Sequence, residues 1–102
     1  MPQETFTLDP ATIQSAISKA AGRARQLATR STCEEQDAAL GVVAFQLNAA
    51  HRHLDRDDIS QARTALTTAS SYANSEEANT PLLTGVPQLA QTVRDFLAAL
   101  PA

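Results

Sequence analysis

The chain has 102 residues, a net charge of −3 and a single cysteine, Cys33. That length fits one domain. The charge gives no overall reason to expect nucleic-acid or membrane binding, and one cysteine excludes an internal disulfide. Hydrophobic residues make up 43% of the chain, but 20 of them are alanine, while Ile, Leu, Val and Phe together number 21. Each missing large side chain forgoes about 1.5–3 kcal/mol of burial, so a lone copy is expected to have a thin core that a partner subunit could complete.

The opening MPQETFTLDP has no basic segment followed by an apolar run, so no signal peptide is expected, and no stretch approaches membrane-spanning length. With the lone cysteine, this favours a cytoplasmic, reducing setting. Residues 1–9 read as an extended arm. Asp9 can cap a helix and Pro10 suits its first position. Ile13, Ala16, Ile17, Ala20, Ala21, Ala24, Leu27 and Ala28 then recur at helical spacing, which predicts helix 1 over 10–29.

TRSTCEEQ offers two capping boxes, Thr32 with Glu35 or Ser31 with Glu34. Helix 2 is expected over 33–54, with Leu40, Val43, Leu47 and Leu54 on one stripe widened by Val42, Phe45 and Ala50. Being apolar round much of its girth, it should be the central helix. Gly41 inside it costs about 1 kcal/mol relative to alanine, which close approach by another helix would offset. Asp57 and Asp58 can start helix 3, expected over 58–73 with the narrow stripe Ile59, Ala62, Leu66, Ala69 and Ala73. Residues 74–86 carry small polar residues, a proline and a glycine, and read as a linker. Helix 4 is expected over 87–100, its stripe being Leu89, Val93, Phe96, Leu97 and Leu100. The predicted fold is all-α: a small antiparallel bundle of three core helices plus a C-terminal amphipathic helix.

AHRHLDRDDIS, residues 50–60, gathers histidines and aspartates densely enough to raise the question of a metal site. His51 and His53 point to roughly opposite sides of a helix. The pairs His51–Asp55 and His53–Asp57 each lack further ligands nearby in sequence, and an EF-hand register from Asp55 fails at Ile59, Ser60 and Leu66. A helix end followed by a helix start explains every residue: the basic residues suit the negative end of helix 2, and the aspartates suit the positive start of helix 3. Only a site shared between subunits could complete a ligand set, so no metal or other cofactor is expected.

Between residues 10 and 33 the charges are Lys19, Arg23, Arg25 and Arg30, with no acid. Lys19, Arg23, Gln26 and Arg30 share one flank that could follow a phosphate backbone, but without interleaved aromatics nucleic acid is not the expected partner. Cys33 beside Glu34 and Glu35 is a poor nucleophile candidate, and Gly22, Gly41 and Gly85 stand alone rather than in a phosphate loop. No nucleophile, base and orienter converge, so no enzyme is expected.

YANSE, Tyr72 to Glu76, resembles the Y-x-x-x-D/E pattern near the end of the second helix in type VII secretion substrates, which are also helical chains of about this length and usually acidic. The resemblance covers five residues. The tryptophan–glycine turn of that family is absent here, and the stretch from Gly41 to Tyr72 is short for its second helix, so the family is not assigned. The expected function is non-catalytic protein binding by a small adaptor, regulator or assembly subunit that associates with itself. The helix 4 stripe is the candidate interface, of the helix-in-groove type. The alternatives are nucleic-acid binding through Lys19, Arg23 and Arg30, and a secreted helical partner protein of the type VII kind.

Overall fold

The computed structural model describes residues 10–76, 78 and 85–100. The expected N-terminal arm over 1–9, and most of the expected linker, lie outside the described residues. The protein is all-α, with α1 at Pro10–Arg30, α2 at Glu34–Asp55, α3 at Ile59–Ala73 and α4 at Val86–Ala99. Each helix packs against its neighbour in sequence, and α4 returns to α1. The short connections at 31–33 and 56–58 make successive helices antiparallel. A cross-link at one end of the bundle agrees: Gln14 Nε2, near the start of α1, donates to the carbonyl of His51, near the end of α2, at 3.3 Å. Among the described residues α1 does not pack against α3, nor α2 against α4, so the helices form four walls with α4 diagonally opposite α2. The fourth helix, expected as a C-terminal amphipathic addition to three core helices, packs on α3 and α1.

Twelve of the 25 buried hydrophobic residues described are alanine. The α3 contribution is Ala62, Ala65, Leu66, Ala69 and Ala73, so the narrow stripe read from the sequence is the buried face. Such a face gains little area per residue, and it holds only if the neighbouring backbone comes close enough to leave no void. Apart from Leu66, the larger fully buried hydrophobic side chains come from the other three helices: Ile17 and Leu27 from α1, Leu40, Val43 and Leu47 from α2, Val86 and Val93 from α4.

The start of α2 departs from the expected capping boxes. Its N-cap is Cys33, in extended backbone and with no side-chain cap bond. Ser31 instead accepts the Cys33 backbone N–H at 3.2 Å and lies 2.9 Å from Gln36 Oε1. Gln36 is fully buried and its Nε2 donates to the Ala78 carbonyl at 2.7 Å. The competing geometry wins because a buried amide must find partners, and this one finds them in the chain on both sides of it. The acids Glu34, Glu35 and Asp37 still occupy the first turn, where the helix dipole favours them.

Residues 50–60 settle into a Schellman turn. The N–H of Asp58 donates to His53 C=O at 2.8 Å and that of Asp57 to Leu54 C=O at 3.0 Å. Asp57 takes the left-handed position at φ 58°, and the Asp58 carboxylate caps α3 by accepting the Gln61 N–H at 3.2 Å. At the start of α4, Gly85 has φ 108°, a conformation that favours glycine, and a Cβ there would lie 3.1 Å from Arg23 Nη2, so that side chain would have to shift.

The α4 stripe lies inside this core. Leu89, Val93, Phe96 and Leu100 are buried and Leu97 packs half-buried against them. Replacing Phe96 with alanine is therefore expected to cost about 3–5 kcal/mol, measured as a lowered midpoint in chemical denaturation of the monomer. Asp57→Gly is expected to act in the other direction, raising stability by about 0.5–1 kcal/mol, because it relieves a left-handed non-glycine residue; a thermal melt compared with wild type checks this.

Candidate docking surface on α2

Because the α4 stripe covers α1 and α3 within the same chain, it is not an open face while the bundle stays closed. Lys19, Arg23 and Arg30 are exposed on α1. Arg23 is laid across Gly85 at the start of α4, so that flank borders the chain's own fourth helix. Among the described residues no three His, Cys, Asp or Glu side chains come together in a way that could hold a metal ion. His51 lies where α2 meets α1, its carbonyl bonded to Gln14, and Asp57 lies in the turn, so the pairs read from the sequence are not joined into one site. Cys33 is half-buried and its thiol donates to Glu35 Oε1 at 3.1 Å. That bond, with the Glu35 backbone N–H, holds the Glu35 carboxyl below its usual range. Tyr72 is 43% exposed on the last turn of α3 and Glu76 lies in the turn beyond it.

The surface that stands out is one that apolar spacing alone assigns to the core. Phe45 is 62% exposed, the most exposed of the large apolar side chains described. It sits on the face of α2 turned away from Val43 and Leu47, because a step of two residues carries a helix about 200° round. Beside it runs an open cleft of about 400 Å³ between α1 and α2, lined by Arg25, Gly41, Ala44, Phe45, Asn48 and Arg52. Among the described residues neither the Arg25 nor the Arg52 guanidinium makes a hydrogen bond or ion pair. An exposed ring flanked by two uncompensated cations in a concave setting offers burial and charge together.

Gly41 also departs from expectation. It is exposed, and a Cβ built on it would meet nothing within 4 Å. No described helix of this chain approaches it closely, so its helix-weakening cost is not offset within the bundle. The signal for this face is present in the spacing. Glu34, Ala38, Gly41, Phe45, Asn48 and Arg52 follow one another at alternate steps of four and three residues, the heptad spacing of a second seam, while Leu40, Val43, Leu47 and Leu54 mark the first.

Comparison with protein-family models, curated proteins and solved structures finds no match for this chain. No helix among the described residues is long and apolar enough to cross a membrane.

Since nothing described in the chain fills the space above Gly41, Gly41→Ala is expected to raise the stability of the monomer by about 0.5–1 kcal/mol. Denaturation at the lowest workable chain concentration measures this, and a destabilised variant would mean that the position is constrained inside the monomer.

Proposed function

We propose that this protein is a non-catalytic protein-binding module, an adaptor, regulator or assembly subunit, whose docking surface is the outward face of α2 around Phe45. The observation that carries the reading is Phe45, 62% exposed beside a cleft bordered by Arg25 and Arg52, whose guanidiniums make no ion pair among the described residues. Burying an aromatic side chain is worth about 1.5–3 kcal/mol, and aromatic and arginine side chains together are the commonest energetic anchors of protein interfaces. The helix 4 stripe expected from sequence packs into the core of its own chain, which favours the outward face of α2 as the docking surface.

The chain carries a net −3, whereas the cleft is lined by two cations and no acid. This favours a partner surface with an apolar contact and carboxylates at its edges. The test is site-specific photo-crosslinking in cells that make the chain, with benzoylphenylalanine at Phe45 and, separately, at Thr67, which is exposed on α3. A discrete protein adduct from position 45 and none from position 67 is the expected result. Equal or absent crosslinking at the two positions would remove the docking reading.

A further inference from the structure

The outward seam of α2 is complementary to itself when read in the opposite direction. Along it lie Glu34, Ala38, Gly41, Phe45, Asn48 and Arg52, acid at the start of the helix and cation at its end. Laying a second α2 antiparallel across the first, with the crossing near Val43, sets Phe45 over the partner's Gly41 and Glu34 against the partner's Arg52. Ala38 then faces the partner's Asn48. Two-fold symmetry makes each of these pairings twice. The packing is that of an antiparallel coiled coil, with heptad-spaced side chains meeting at a crossing of about 20°.

We infer that the occupant of the Phe45 surface is a second copy of this chain, docked antiparallel through α2. Three observations converge on it. Gly41 leaves an open space with nothing within 4 Å of its would-be Cβ, and it lies one turn from a ring that is 62% exposed: a hole and a knob on the same seam. The seam's terminal charges have opposite sign and no ion-pair partners among the described residues. Its six positions keep heptad spacing over most of α2, a helix of 22 residues, although the core requires only the other side. The diagonal placement of α4 leaves this side uncovered by the described helices. One apolar anchor per subunit and a polar seam make a small interface, so the association is weak and concentration-dependent.

This inference rests on the docking reading, and the two fail separately. Sedimentation of the full chain from about 1 µM to about 1 mM, the range in which small interfaces bind, is expected to show a monomer–dimer equilibrium. Phe45→Ala and Gly41→Ala are each expected to weaken it by about tenfold or more, the second while leaving the monomer folded and no less stable. Glu34→Arg places two cations opposite each other at both ends of the seam, and Arg52→Glu places two acids there. Neither variant alone is expected to dimerise, but their equimolar mixture restores both ion pairs and with them the dimer. Circular dichroism of each variant, with helix content matching wild type, keeps a folding defect from being read as an interface effect. A wild-type chain that is monomeric throughout overturns the inference, and so does a dimer indifferent to the charge reversals. In either case the photo-crosslink from position 45 still decides docking: an adduct whose added mass differs from a second 10.8 kDa chain leaves docking standing with a different occupant, and no adduct removes it.

Discussion

Ala62, Ala65, Ala69 and Ala73, with Leu66, are all that α3 buries, and the bundle's geometry follows from how small they are. An alanine face makes useful dispersion contacts only when the facing backbone is close, because those contacts fade within an ångström of extra separation. Close approach to α3 on one flank and to α1 on the other leaves α2 held between two neighbours. The remaining wall, with the largest side chains of the C-terminal segment, then falls to α4. A larger residue in the α3 stripe would push α2 away and disturb both of its contacts, since packed interiors have little slack.

Polar groups set how the walls meet. Gln36 is buried yet bonded at both ends of its amide, to Ser31 before it and to the Ala78 carbonyl far along the chain, so it ties the first inter-helix turn to the segment that follows α3. At the α3–α4 boundary, Arg94 donates to Asn74 Oδ1 at 2.7 Å and Arg63 to the Leu100 carbonyl at 3.4 Å. These contacts add modest net stability each, but they select one arrangement among the several that an alanine-rich, loosely specific core would tolerate. The turn at Asp57 and Asp58 does the same for α2 and α3: one aspartate takes the left-handed position and the next satisfies the new helix start, so reversal takes three residues.

Function, as proposed, is displaced to a helix face that the packing of the described helices does not use. A helix with neighbours on two flanks and its core stripe turned inward still has an outward quarter, and on α2 that quarter carries an aromatic ring, an exposed glycine and charges of opposite sign at its ends. The glycine costs the isolated helix some stability, and the exposed ring gives up burial. Both costs are explicable if the face is completed by contact with another protein, and neither is recovered by the bundle on its own.

Much is legible in the residues alone. Period-3.6 apolar spacing, Pro10 at the start of α1, the Asp57–Asp58 pair and the proline near the start of α4 mark four helices within a residue or so of where they lie, because these are local preferences of backbone and side chain. The same local reasoning makes residues 50–60 a helix end and a helix start, and the Schellman turn is the form this takes. What local reasoning does not supply is orientation. With apolar residues on both sides of α2, the wheel alone does not say which side meets α1 and α3, and its chemistry alone assigns Phe45 to the core. Nor does the wheel say whether the α4 stripe meets its own bundle or another molecule, because an apolar stripe demands burial without naming the surface that provides it. The displacement of the capping boxes by Gln36 is equally out of local reach, since its partner Ala78 lies 42 residues away. Those choices belong to the tertiary structure, where helix-to-helix distance and the pairing of buried polar groups across the chain determine which of two chemically similar faces is turned inward.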